Sequence, residues 1–265
     1  MTTTRTTAPG RSTRRVASIE HDPAMRLAAT EYERGGELLA RLEPEHWSLP
    51  TVNTGWDVRA TVGHMVGMMD MVSSVPRLVR QQVTAIRAAR RAGALTSIDE
   101  LTALQVRLNA GLTAAELVAR YRALAPKAVR GRRRVPALVR RRTLPERQLI
   151  NGQPEWWAIG YLIDVILTRD PFMHRLDIHA ATGVPPRVTA EHEGRIVDDV
   201  VREWADRHGR PYTLDLTGPA GGHWSSGDGE PIGLDALDFC RIVSGRPAAT
   251  TTVEPAGLLT TAVPF

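Results

Sequence analysis

The chain has 265 residues, room for one large domain or two modest ones at about 150 residues each. With 42% hydrophobic and 24% charged residues it has the composition of a soluble globular protein. Its one cysteine, Cys240, excludes an internal disulfide framework or a Cys-based zinc site and fits a reducing, cytoplasmic setting. The net charge is +5, and of 34 basic residues all but Lys127 are Arg. These are spread along the whole chain, which reads as high-GC codon bias rather than as one nucleic-acid patch.

Residues 1–20 are rich in Thr, Arg and Ser and lack an apolar stretch, so they read as a disordered tail and not as a secretory signal. No apolar run reaches about 18 residues, so the sequence predicts no membrane span. From Pro23 to Leu42 the apolar spacing is helical, followed by a loop over 44–55. Trp47 in that loop and Trp56 just after it are expected to pack against the domain. Asp57 is a plausible N-cap for the next helix, on which Val58, Val62, Met65, Met69 and Val72 share one face. Met68 and Met71 lie on another side, so the helix should be buried, with His64 on it.

Further helical patterns fill 77–125, with Thr113 as a cap, and 130–142 (RGRRRVPALVRRR) is basic and broken by Pro136. After an expected loop, a helical pattern runs from Glu155 to Thr182 and stops at Gly183, with Pro185 and Pro186 beyond. Pro171 should kink or split it. The character then changes. Thr189 caps an amphipathic helix ending at His208-Gly209, residues 213–218 alternate like a strand, and Asp235 caps a short helix closed by Gly245. This places a boundary near 185, with an α-helical bundle over 21–185 and a small α+β domain over 186–265.

Asp170 and His174 are spaced i, i+4 and project from one helical face. Joined by His64 inside a bundle, they make a three-ligand site with open positions, suited to Zn²⁺ first and Fe²⁺ second. Two other readings use the same residues: Asp170 as an N-cap with Pro171 at the first helical position, and His64 as a hydrogen-bonded core histidine. Asp177, three residues after His174, can hold its ring or pair with an Arg. His179 reads as a surface residue, the remaining histidines carry no assignment, and Cys240 reads as a small buried hydrophobe.

Two segments carry a resemblance. WSLPTVNTGWDVRATVGHMVG resembles the opening motif of the mycothiol-dependent maleylpyruvate isomerase family, within the wider DinB-like bundles, and TRDPFMHRLDIHAATG resembles its second motif. LDALDFCRIVSGRP and the ending AVPF resemble the family's small second domain. The resemblance implies a DinB-like four-helix bundle followed by a small α+β domain. It implies metal ligation by His64, Asp170 and His174, with Asp170 standing where the family often has Glu. It matches Arg246 to an arginine that faces the thiol or a substrate carboxylate. The function it implies is a metal-dependent, mycothiol-using isomerase or S-transferase acting on a small, carboxylate-bearing electrophile, as a monomer or homodimer. A non-catalytic metal- or small-molecule-binding relative, and a nucleic-acid-binding protein built on 130–142, stand as the alternatives.

Overall fold

The computed structural model describes residues 14–250 and 256–265. Most of the expected tail, residues 1–13, lies outside them. Residues 14–20 are not loose: the Arg15 N–H donates to the Trp156 carbonyl at 2.8 Å, and its guanidinium reaches Asp206.

Four helices form the bundle. They are α1 (His21–Leu39), α2 (Val58–Val72), α5 (Ala114–Arg133) and α8 (Leu167–Thr182). Helices α1 and α2 each pack on both α5 and α8. A hairpin of α3 (Val75–Ala92) and α4 (Ile98–Asn109) lies against α2. Local chemistry sets several of the ends. The Asp57 carboxylate accepts the Ala60 N–H at 2.7 Å, and Thr113 and Glu116 form a reciprocal capping box at the start of α5. Gly183, with φ at 70°, closes α8 in the left-handed conformation.

After a single turn, α6 (Ala137–Arg140), come two short strands, β1 (Gln148–Ile150) and β2 (Gln153–Glu155), in the segment expected as a loop. They pair antiparallel through Asn151-Gly152, both at positive φ, which is the Asn-Gly hairpin signature.

The helix around Pro171 does not split. A short α7 (Ile159–Tyr161) passes through a π turn over 162–166 directly into α8, with Pro171 inside the helix. In the π turn the Leu167 N–H reaches back to the Leu162 carbonyl, so Ile163 C=O loses its usual partner. Pro171 has no N–H, so Leu167 C=O loses its partner too. Both are satisfied by Arg132. Its Nε and Nη2 donate to Ile163 O at 3.0 and 2.6 Å, Nη1 donates to Leu167 O at 2.8 Å, and Nη2 also donates to Thr168 Oγ1 at 2.7 Å. Arg132 is fully buried and so is no part of a solvated basic face. Gly131 lets it get there, because a Cβ at 131 would lie 1.9 Å from the Val72 carbonyl where α5 crosses α2.

The C-terminal part holds α9 (Glu193–His208), the strands β3 (Tyr212–Thr217), β4 (Gly222–Ser226) and β5 (Pro231–Asp235), and α10 (Ala236–Val243). β3 is central, antiparallel to β4 and parallel to β5. Tyr212, Leu214 and Leu216 on β3 alternate inward onto a core with Val200, Trp204 and Phe239. Thr189 precedes α9 by one turn, its hydroxyl accepting the His192 N–H at 3.3 Å. The two cores meet on α8: Leu167 and Ile178 belong to the bundle core, Phe172, Met173 and Leu176 to the C-terminal one.

His179, expected on the surface, is 8% exposed, and its Nδ1–H donates to the Val184 carbonyl beyond the end of α8. Burial pushes its imidazole down to about 4, against the pull of that hydrogen bond.

Two predictions follow from this arrangement. Arg132→Met strands the buried Ile163 carbonyl and Thr168 hydroxyl oxygen, leaves Leu167 O only the long bond from Tyr32, and should lower unfolding free energy by roughly 3 kcal/mol, with Arg132→Lys recovering only part, as measured by urea denaturation. Near-parental stability of the Met variant would contradict the role given to Arg132. His179 is neutral when folded, whereas the unfolded chain takes up its proton near its ordinary value. Its contribution is therefore whole above about pH 6.5 and is lost as pH falls toward 4. Between pH 7.5 and 5.0 that is about 2 kcal/mol, and His179→Asn should lose correspondingly less than the parent over the same range. Identical pH dependence in the two proteins would refute it.

Candidate metal centre

His64 sits in the middle of α2, whose nearly all-round apolar sequence places it in the bundle interior, where 13 of its 15 residues are buried. Asp170 and His174 face it from successive turns of α8, one residue before and three after Pro171. His64 Nε2 lies 3.4 Å from Asp170 Oδ1, and His174 Nε2 lies 3.5 Å from the same oxygen. The two imidazoles meet edge to face with centroids 5.0 Å apart, and Trp56 closes over both at 5.3 and 6.0 Å. One ligand atom from each of the three residues falls within 4.8 Å of the others, so the group can hold a metal ion. Asp170 is thus inside the helix and caps nothing, and His64 points at a carboxylate rather than at core backbone.

The donor set suits a divalent transition metal: two neutral-capable imidazoles and one carboxylate leave open positions on a four- to five-coordinate ion. Asp170 Oδ2 and His64 Nδ1 are buried with no hydrogen-bond partner, an arrangement that costs free energy in a fully satisfied core. Burial alone would raise the Asp170 carboxyl, but the charges of His64 and His174 hold it far below the usual carboxylate range. Burial alone would lower His174. The Asp170 carboxylate, with the hydrogen bond that His174 donates to Asp177, lifts it instead to about 9.

Asp177 stands behind His174. Its Oδ2 accepts from His174 Nδ1 at 3.3 Å and from Asn53 Nδ2 at 3.1 Å. Arg246 grips both of its oxygens, Nε to Oδ1 at 2.9 Å and Nη2 to Oδ2 at 3.0 Å. Burial would raise the Asp177 carboxyl, but His174 and Arg246 hold it low. One carboxylate thereby ties together the loop before α2, the ligand helix and the segment after α10. Arg246 was expected to face a thiol or a substrate carboxylate. It instead spends its fork on Asp177, with Nη1 on Ser244 Oγ and Nη2 on Asn53 Oδ1, each at 3.4 Å. Asn53 and Trp56 carry no ionisable group, so a search for ligand types passes over them. Their place in the WSLPTVNTGWD segment was the available signal.

A cavity of about 310 Å³ opens beside His64 and Asp170, between α2, the α3–α4 hairpin and the segment around Trp157. Cys240 takes no part: it is fully buried in the C-terminal core, and burial pushes its thiol up to about 12. No described helix is long and apolar enough to cross a membrane.

The chain overlays a crystal structure of the mycothiol-dependent maleylpyruvate isomerase with a TM-score of 0.53 at 12% identity, and a point mutant of that enzyme with 0.54 at 10%. Each overlay covers 86% of this chain and 90% of the other. At this identity the likeness is one of fold: a DinB-like helical bundle with a small α+β part after it. No curated protein gives a significant match. Residues 28–179, a span that holds His64, Asp170 and His174, match the family described as the mycothiol maleylpyruvate isomerase N-terminal domain, and the chain belongs to that family.

Proposed function

We propose that this protein is a metal-dependent enzyme that uses a low-molecular-weight thiol, mycothiol, as cosubstrate in isomerisation or S-transfer on a small electrophile. The observation that carries the proposal is the convergence of His64, Asp170 and His174, the first two at the edge of a cavity, inside the segment that matches the family. His64, Asp170 and His174 would hold the ion, with zinc as the first choice and iron as the second. A bound cation would favour the thiolate form of a thiol placed at an open position.

The chain's own residues do the remaining work. Asp177 fixes the His174 ring through Nδ1 and so leaves Nε2 aimed at the site. Arg246 positions Asp177 rather than touching substrate. Asp170 is one methylene shorter than Glu, and Pro171 follows it within an unbroken helix. Trp56 covers the two imidazoles and keeps water from that side. The protein's one thiol is buried away from the site, so a thiol reaction here needs one from outside. That setting is a reducing, cytoplasmic one.

The test is metal content with a matched pair of variants. Protein loaded with zinc and passed through a desalting column should retain about one ion per chain, and His64→Ala should retain essentially none. Asp177→Asn should keep the fold and still bind zinc, but about 10- to 100-fold more weakly. Full metal retention by His64→Ala would overturn the ligand assignment.

A further inference from the structure

The α3–α4 hairpin lies outside the four-helix bundle and carries none of the three converging side chains. Helix α3 buries one narrow face, with Gln81, Ala85 and Ala89 turned toward α2 and α4. Val75, Val79 and Val83 recur at i, i+4, a spacing that drifts by only about 40° around an α-helix, so they form one stripe. That stripe is uncovered: Val75 is 71% and Val79 53% exposed. At the end of α3, Gly93 closes the helix in the left-handed conformation. Leu95 then stands at the hairpin tip, 89% exposed, with the exposed Ile98 at the start of α4. Ile86 and Ile98 both line the cavity beside His64, which brings the stripe and the tip together along one edge.

The charges beside the stripe are of one sign. Helix α3 holds Arg77, Arg80, Arg87, Arg90 and Arg91 and no carboxylate. Arg77 is paired with Asp70 on α2. Arg80, Arg87, Arg90 and Arg91 are exposed and form no ion pair among the described residues. The hairpin's two carboxylates, Asp99 and Glu100, stand in the first turn of α4, where they complement the helix dipole.

This combination selects among occupants. A second copy seated on the same face would set the four unpaired arginines of α3 against their own equivalents. A nucleic acid would satisfy the arginines but leave Val75, Val79 and Leu95 against phosphate or water. A lipid surface that carries negative headgroups matches both features. The apolar side chains enter the boundary of the acyl region, and the arginine stems lie along it with their guanidiniums at the phosphates.

We propose that the α3–α4 hairpin docks the protein peripherally on an anionic lipid bilayer, with Val75, Val79 and Val83 lying in the interface and Leu95 inserted at the tip. The helix lies on the bilayer and does not cross it. The inference is independent of the metal and thiol chemistry.

Co-sedimentation of the full-length protein with vesicles tests it. Phosphatidylcholine vesicles are compared with vesicles in which about one lipid in three is phosphatidylglycerol. Partition into the anionic vesicles should exceed that into the neutral ones at least about tenfold, and should fall as salt rises from about 0.1 M to about 1 M. Leu95→Gln, at an exposed position, should weaken anionic binding by about tenfold, and Val79→Gln should weaken it in the same direction. Both variants should keep the parental melting temperature and zinc retention. Arg87→Gln combined with Arg91→Gln should also cost about tenfold or more. Absence of binding to the anionic vesicles, or binding that Leu95→Gln and Val79→Gln leave unchanged, would overturn the proposal. So would tighter binding to duplex DNA that the arginine variant abolishes, which gives the face to a nucleic acid. A dimer in analytical ultracentrifugation that Leu95→Gln dissociates would overturn it too, in favour of a second copy.

Discussion

The buried fork of Arg132 is the contact on which the placement of Asp170 depends. Asp170 lies between two interruptions of one helix, the π turn before it and Pro171 after it. Each interruption releases a carbonyl inside an apolar bundle, where an unpaired acceptor is costly. A single guanidinium reaches both carbonyls and the Thr168 hydroxyl because its donors are rigidly splayed. A lysine has the charge without the fork. The helix therefore keeps its direction, and Asp170 and His174 stay one turn apart, facing His64. π turns recur at functional sites because they shift side chains around the axis without ending the helix. Here the shift is locked by a residue from another helix.

Around this point α8 is held from two sides by buried charge. Toward the bundle, Arg175 forks onto Glu31 at 2.7 and 2.9 Å and also reaches Glu193, while His192, just before α9, meets Glu31. Toward the C-terminal part, Arg169 binds Asp199 and Glu203, and Glu203 also takes Tyr161 and Arg207. Buried pairs of this sort add little net stability against an apolar replacement, but losing one partner strands a charge. Their effect is to fix one arrangement of α8 against α1 and α9. That suits a helix that supplies two of the three converging side chains and one carboxylate behind them.

Much of this was legible in the sequence where the signal is local. Asp57, Thr113, Gly183 and Asp235 end their helices through side chain or backbone chemistry that a few residues spell out. The i, i+4 spacing of Asp170 and His174 and the apolar surroundings of His64 pointed to a trio whose ligand atoms lie within 4.8 Å of one another. What was hidden is what comes from afar. Pro171 argued for a break, and the residue that rescues it lies 39 positions earlier in a run that looks like a solvated basic face. Nothing near Arg132 distinguishes it from Arg133 or Arg134 except Gly131, whose meaning appears only when α2 is in place. Arg246 was found through its motif, but its bond to Asp177 spans 69 residues and has no local signal. The β1–β2 hairpin was missed for the opposite reason: its Asn151-Gly152 turn was present, but the strands are three residues each and largely exposed.

In the proposed centre His64, Asp170 and His174 hold a metal ion with room for a thiol. X-ray absorption at the zinc edge, on loaded protein before and after addition of mycothiol, tests it most directly. Imidazole and oxygen neighbours are expected at about 2.0–2.2 Å without thiol, and a new sulfur neighbour at about 2.3 Å with it. A spectrum without imidazole scattering, or one that stays unchanged when the thiol is added in excess, would contradict it.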